Sequence, residues 1–406
     1  MDASPVWLFW IALVAAVAPI IAGLVPRRLV AEVVILLGLG MLIGPFGLDL
    51  APTDGATNMF HDFGLAMLFL LAGYEIELKE LTGVAGRQAL LTWVVCLLLA
   101  FGLIALLGVT DIFDGEIAVA IALTSTSLGT LLPILKDGGL LGGAIGDHVM
   151  RHGAYGEIGP IVAMAVLLGV RGPLESLLVL AAFAGVAVLL ALPSLHLKRE
   201  TSRVLALIRA GAETTGQIPV RLTMLLLATL VAVASEFKLD IVLAAFAAGF
   251  ILRLSLPDGD EHLEARVEGI AFGLLVPIFF VTSGMAIDPD AIADEPLAFV
   301  AVLVLILLVR GGPVLLATRL LGDRPRLGMR DSLTVASYAS TGLPIIVAVT
   351  AVSVHAGQMS NESASILVAA GAATALICPL LASTLLGQLQ PVHPATSRTP
   401  PEEASP

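Results

Sequence analysis

The chain has 406 residues, of which 58% are hydrophobic and only 13% charged, and its mean hydropathy is +0.99; soluble domains run near roughly 45–50% and about 25%. That balance excludes a large soluble domain, a DNA-binding surface and a secreted disulfide scaffold. The net charge of −12 points to no nucleic-acid partner, because the acids gather in a few loops.

A membrane-crossing helix takes roughly 20 apolar residues. Apolar runs of about that length fall at 6–25, 29–49, 63–78, 88–110, 116–135, 145–170, 174–195, 219–235, 239–256, 270–287, 296–320, 329–354 and 363–387. They predict an all-α polytopic membrane protein with about 13 transmembrane helices. The first run has no basic residues before it, only Asp2, so it reads as an uncleaved helix and not a signal peptide. With the N-terminus outside, 17 of the 21 Lys and Arg residues fall on the cytoplasmic side. Arg171 and Lys238 fall on the other side, and Arg151 and Arg310 lie within spans. The skew follows the positive-inside rule and predicts a multi-pass protein of the cell membrane with a cytoplasmic C-terminus. Asp54, Asp62, Asp111, Asp114 and Asp288 populate the outer loops.

The longest connection, 196–220, splits the chain in two, and Leu197, Val204 and Ile208 fit one face of a short interfacial helix. Residues 389–406 have the Pro/Ser/Glu composition of a disordered tail. Cys96 and Cys378 sit inside apolar runs, so no structural disulfide is expected, and there is no Cys/His metal motif. No Walker A or dinucleotide fingerprint occurs, so no cofactor and no nucleotide-binding regulatory domain are expected.

Two spans break the rule that membrane helices run uninterrupted unless their irregular backbone lines a cavity. The fifth contains Thr124-Ser-Thr-Ser127 before Gly129 and Pro133, and the twelfth contains Ser340-Thr341-Gly342 before Pro344. They lie seven spans apart, an odd number, so they run in opposite directions. Matched interruptions in two inverted halves mark a transporter site; the alternative for each alone is Ser, Thr and Gly serving helix packing.

Beside the first break, the sixth span carries Glu157 in mid-membrane. A carboxylate there is a functional-site hypothesis by default, since it is costly in hydrocarbon, and it can trade a proton for a cation. Its candidate partner is Arg310, mid-span before Gly311-Gly312-Pro313. Arginine stays protonated in proteins, so Arg310 balances charge or caps broken-helix carbonyls and carries no transported proton. Asp147, His148, Arg151 and His152 stand near the start of the sixth span. Asp147 and Arg151 are spaced to pair along a helix, and the two histidines fit either pH sensing or ordinary packing. Glu75 and Glu77 mark the inner end of the third span.

At these residues the sequence resembles the monovalent cation:proton antiporters, specifically the cation:proton antiporter-2 family with its sodium/hydrogen exchanger domain. The stretches that carry the likeness are Gly38–Leu48, Leu68–Lys79, Ala245–Gly249 and Pro277–Gly284, in that order along residues 6–388. The resemblance implies an antiporter fold: two inverted repeats with crossed discontinuous helices. It implies core helices at about 88–170 and 296–387, dimerisation helices at about 6–78 and 174–287, a homodimer, and elevator-like movement between the two parts. By position, Thr124, Ser125, Thr126 and Ser127 match the first unwound stretch and Ser340 and Thr341 the second. Glu157 matches the ion-binding Asp, with Na⁺ or K⁺ bound there, and Arg310 the basic residue of the core helix. Relatives carry two adjacent acids, Asn-Asp or Gln-Asp at the ion site; here the pair is Gly156-Glu157.

The expected function is a non-enzymatic exchange of a monovalent cation for H⁺, electroneutral because one acid serves both ions. A proton-coupled organic-solute carrier would need a roomier polar or aromatic cavity, and aromatics are only 5% of the chain. A non-transporting sensor would also explain the missing second acid. An intramembrane hydrolase lacks its constellation: there is no HExxH and no evident pair of membrane aspartates.

Overall fold

A computed structural model describes residues 6–24, 31–52, 55–107, 114–169, 173–197, 217–256, 260–320 and 327–387. Among these residues every regular element is helical. In chain order they are α1 (Val6–Leu24), α2 (Glu32–Ile43), α3 (Gly55–Glu75), α4 (Leu78–Leu81), α5 (Gly83–Leu107), α6 (Glu116–Leu123), α7 (Leu128–Asp137), α8 (Ala144–Leu167), α9 (Pro173–Leu197), α10 (Ile218–Glu236) and α11 (Ile241–Ser255). Then come α12 (Glu261–Ile270), which runs through a π-helical turn (Ala271–Leu275) into α13 (Val276–Met285), and the short α14 (Pro289–Asp294). A second π-helical turn (Leu307–Gly311) joins α15 (Pro296–Ile306) to α16 (Gly312–Leu320), and α17 (Met329–Ala339), α18 (Leu343–His355) and α19 (Asn361–Leu385) complete the chain. Positions 204 and 208 of the expected interfacial helix, and the tail 389–406, lie outside the described residues.

Among the described residues seven helical stretches are long and apolar enough to cross a membrane: 6–24, 83–106, 218–236, 261–285, 296–320, 329–355 and 361–385. Shorter apolar helices stand beside them, at 32–43, 116–132, 174–189 and 241–255. Leu98, Leu174, Leu225 and Leu297 are exposed on the outside of the bundle, a surface that is stable against hydrocarbon and not against water. The chain is a multi-pass membrane protein.

Packing falls into two neighbourhoods. In one, α3 lies along α11, α13 on α2 and α3, α10 on α11, and α1 on α2. Hydrocarbon gives helices no hydrophobic reason to associate, so they rely on close backbone approach through small residues. Gly73 and Gly249 supply it for α3 and α11: a Cβ on either would run into the facing carbonyl, that of Phe246 or of Leu70. In the other neighbourhood, α19 packs on α15, α17 and α18, and α8 packs on α5 and α17. The helix starts are capped where sequence allows: Asp240 accepts from Val242 N–H at 2.8 Å, and Asp260 from the N–H groups of His262 and Leu263.

Candidate functional site

Both interrupted spans unwind where their Ser/Thr clusters fall. α6 ends at Leu123, residues 124–127 are non-helical, and α7 starts at Leu128. α17 ends at Ala339, residues 340–342 are non-helical, and α18 starts at Leu343 with Pro344 in its first turn, where a missing N–H goes unused. The two gaps cross and bond to each other. Ser127 N–H donates to the Thr341 carbonyl at 2.7 Å, and the Thr126 hydroxyl donates to the Ala339 carbonyl. The Ser125 hydroxyl donates to Ala122 O at 2.7 Å and lies 3.3 Å from Gly342 O. Position 342 must be glycine for this crossing, since a Cβ would overlap Ser125. Thr124, Ser125, Thr126, Ser127, Ser340 and Thr341 are all at most 3% exposed.

The third element of the crossing is α8, and a proline shapes it. Pro160 has no N–H, so it cannot bond the carbonyl four residues back. That carbonyl belongs to Gly156, and it accepts the N–H of unwound Thr126 at 2.9 Å. Arg310 closes the knot from the π-helical turn, a local bulge of a kind often found at functional sites. Its side chain is fully buried. Nε donates to the Thr126 hydroxyl at 2.8 Å, Nη2 to the His152 carbonyl at 2.5 Å, and Nη1 lies 3.7 Å from Cys96 Sγ. Among the described residues no ion pair joins Arg310 to Glu157. Of the two roles read from the sequence, capping backbone and hydroxyl groups is the one this geometry displays. A Cβ at position 156 would meet both the Arg310 guanidinium and the Thr126 hydroxyl.

Glu157 is 2% exposed, and its Oε2 is buried with no hydrogen-bond partner. Its carboxylate accepts the N–H of Leu128, the first residue of α7, where the half-helix presents unsatisfied N–H groups and the positive end of its dipole. The carboxylate's electrostatic neighbour is a second acid, Glu75, in the last turn of α3. Glu75 Oε2 is likewise buried without a partner, and it faces Gly129 of α7, where a Cβ would stand 3.6 Å from it. Sequence reading had put Glu75 at an inner span end and missed it as a site residue. The available signal was its place between Tyr74 and Ile76 at the end of an apolar run, one turn before the exposed Lys79. Pro160 was missed too; its signal was the four-residue spacing to Gly156.

The residues at the start of α8 are arranged otherwise than their spacing suggested. Arg151 does not pair with Asp147; its Nε lies 3.5 Å from Glu80 Oε2 of α4, tying that short helix to α8. The loop-side acid Glu80 is a better partner because α4 packs directly on α8. His152 is 5% exposed with an unpartnered Nδ1, and its ring stacks on His148 at 6.3 Å. His148 and Asp147 are half-buried. Thr341 Oγ1 is buried beside the Cys378 thiol.

A cavity of about 510 Å³ separates the two packing neighbourhoods. Glu32 stands on its wall, and it extends to Gly129, Thr130 and Pro344, which is to say to the first turns of both half-helices and to the residue facing Glu75. Among the described residues no group of three His, Cys, Asp or Glu could hold a metal ion.

Comparison with known proteins follows this geometry. The chain is 23% identical over 355 residues to the Methanocaldococcus jannaschii protein named "Probable Na(+)/H(+) antiporter 3", covering 84% of this chain and 87% of that one. It is 27% identical over 290 residues to the glutathione-regulated potassium-efflux system protein KefC of Enterobacter sp. (strain 638), covering 69% of this chain. The chain spans 45% of that KefC and 43% of the Bacillus subtilis relative YjbQ, less than half the length of either. The fold is that of the sodium proton antiporter MjNhaP1 from Methanocaldococcus jannaschii, with a TM-score of 0.63 and 18% identity over 94% of this chain and 97% of that one. The family model described as sodium/hydrogen exchanger, transmembrane, matches residues 12–387, a span that takes in both broken helices, Glu157 and Arg310. The chain belongs to the sodium/hydrogen exchanger transmembrane family.

Proposed function

We propose that the chain is a secondary antiporter that exchanges one monovalent cation, Na⁺ or K⁺, for one H⁺ at Glu157. The observation that carries this reading is the unpartnered Glu157 carboxylate at the N-terminus of a half-helix, where two unwound segments cross. Fully dehydrated charge needs partners inside a membrane, and a cation or a proton is the partner this oxygen lacks. Glu75 shares the site. Two carboxyls that repel each other as charges resist ionising together, and on this reading the pair carries one negative charge. One cation neutralises it, and so does one further proton; each exchange then moves no net charge. Arg310 keeps its charge throughout and holds Thr126 and the His152 carbonyl in place.

The two packing neighbourhoods support an elevator-like movement: a core of about 88–170 and 296–387 carrying the site, against a dimerisation part of about 6–78 and 174–287. Glu75 belongs to the second part and Glu157 to the first, so the pair forms and parts with the movement. The positive-inside distribution supports an outside N-terminus, with the 510 Å³ cavity opening to the cytoplasm. The names of the relatives support both Na⁺ and K⁺ as cargo. Dye-quench flux in everted vesicles, run with Na⁺, K⁺ and Li⁺, tests the reading. Proton movement driven by at least one cation is expected; no response to any of them would leave the chain a non-transporting member of its family.

A further inference from the structure

Two routes lead to Glu75, and they differ in calibre. The wide one is the 510 Å³ cavity, which reaches Gly129 beside it. The narrow one is a gap of about 30 Å³ within the α3–α11–α12 neighbourhood, lined by Tyr74, Glu75, Leu252, Glu264, Val267 and Glu268 among others. Both lie on the side of the molecule where α3 ends and α12 begins. A water needs roughly 10–15 Å³ of such space, so the narrow gap has room for a water or two and none for a hydrated alkali cation with its several waters.

Acid groups run the length of this gap. Glu268 is exposed at its outer end and is an electrostatic neighbour of Glu75. Glu264 is half-buried and accepts the Tyr74 hydroxyl proton at 2.6 Å. Glu75, with its unpartnered buried Oε2, closes the inner end and is the electrostatic neighbour of Glu157. The cationic groups around the gap are engaged: Arg253 lies over the Tyr74 ring at 5.5 Å and binds Glu77 at 3.0 Å, and Arg266 of α12 has an interaction of its own.

We infer that protons reach the ion site by a path separate from the cation's, from Glu268 through a water in the narrow gap to Glu75 and on to Glu157, while the cation uses the wide cavity past Glu32. The inference rests on the proposed exchange. A proton from bulk water binds the Glu268 carboxylate. Glu75, which holds the pair's one proton, passes it to Glu157 as the cation leaves into the wide cavity. The Glu268 O–H bond breaks as one forms on the gap water, which gives a proton to the Glu75 carboxylate, so one proton enters as one cation leaves and charge balances at the site. Glu264, held by Tyr74, fixes the gap's width.

The test uses the full chain in proteoliposomes, measuring exchange rate against pH and cation concentration. Glu268 is on the surface, so Glu268→Gln should fold. It is expected to lower the maximal rate about ten-fold, below the full 10²–10⁴ of a general acid because bulk water partly substitutes, with KM for the cation unchanged. Glu268→Asp is expected to restore most of the rate. Glu32→Gln is expected to raise KM for the cation and leave the shape of the pH profile alone. An unchanged rate and pH profile in Glu268→Gln, with the parent active, would overturn the separate path while leaving antiport intact; so would a rise in cation KM that matches the fall in rate. A parent protein without exchange for any cation would remove the antiport reading, and the path with it.

Discussion

Glu157 and Arg310 are buried charged groups, and each predicts a different phenotype. Glu157→Gln keeps the side chain's shape and removes its titrating charge, so exchange should vanish while detergent-solubilised protein keeps its melting temperature. Normal flux in that folded variant would exclude Glu157 as the ion site. Arg310→Ala strips donors from Thr126 and the His152 carbonyl and leaves a void in a fully buried position. The expected loss is roughly 3–5 kcal/mol, visible as a large drop in melting temperature. Arg310→Lys retains the charge and one donor but not the fork, so partial stability and partial flux should survive. Legibility at this scale was uneven. Glu157 and Arg310 stood out because each is a lone charge in mid-run. Glu75 did not, because an acid one turn from a span end looks solvated; only the tertiary placement of α7 against α3 buries it.

At the scale of elements, the crossing of the two unwound stretches depends on a glycine that touches another segment's backbone. Gly342→Ala should push its Cβ into Ser125, at a cost of about 1–3 kcal/mol from overpacking, and should reduce exchange more than Gly102→Ala, whose position in α5 has open space. The short helix α4 offers a pH test. Burial holds the Glu80 carboxyl above its usual range, more than Arg151 and Lys79 lower it. A raised carboxyl favours the folded state only while protonated, so this group's contribution falls as pH climbs through and beyond 4.5. Glu80→Gln is therefore expected to match the parent's melting temperature near pH 4 and to equal or exceed it at pH 7. A clear loss of stability at pH 7 would mean that the Arg151 pair outweighs burial. The breaks in both spans were readable from Ser/Thr clusters followed by Gly and Pro, since those residues weaken a helix wherever they fall. The Asp147–Arg151 pair was misread because helical spacing says which groups lie on one face and nothing about α4 packed across it.

For the molecule as a whole, the sequence carried the membrane architecture in its composition and its Lys/Arg skew, which are properties summed over hundreds of residues. It could not carry the meeting of α3 with α7, or the freeing of the Gly156 carbonyl by Pro160, because both depend on which surfaces face each other. Stoichiometry is the whole-molecule prediction. If Glu75 and Glu157 share one negative charge, an imposed membrane potential should leave exchange in proteoliposomes unchanged, and solid-supported membranes should record no current. Current that disappears in Glu75→Gln would show that both acids titrate each cycle. The Gly156 contact bears on how such a stoichiometry changes over descent. The space that any side chain at 156 would need is held by the Arg310 guanidinium and the Thr126 hydroxyl. A second acid next to Glu157 thus cannot arise by one substitution without unseating both. The two positions are epistatic: a shorter residue at 310 must come first or together with the acid, and a double-mutant cycle of Gly156→Asp with Arg310→Lys should show non-additivity of at least about 1 kcal/mol.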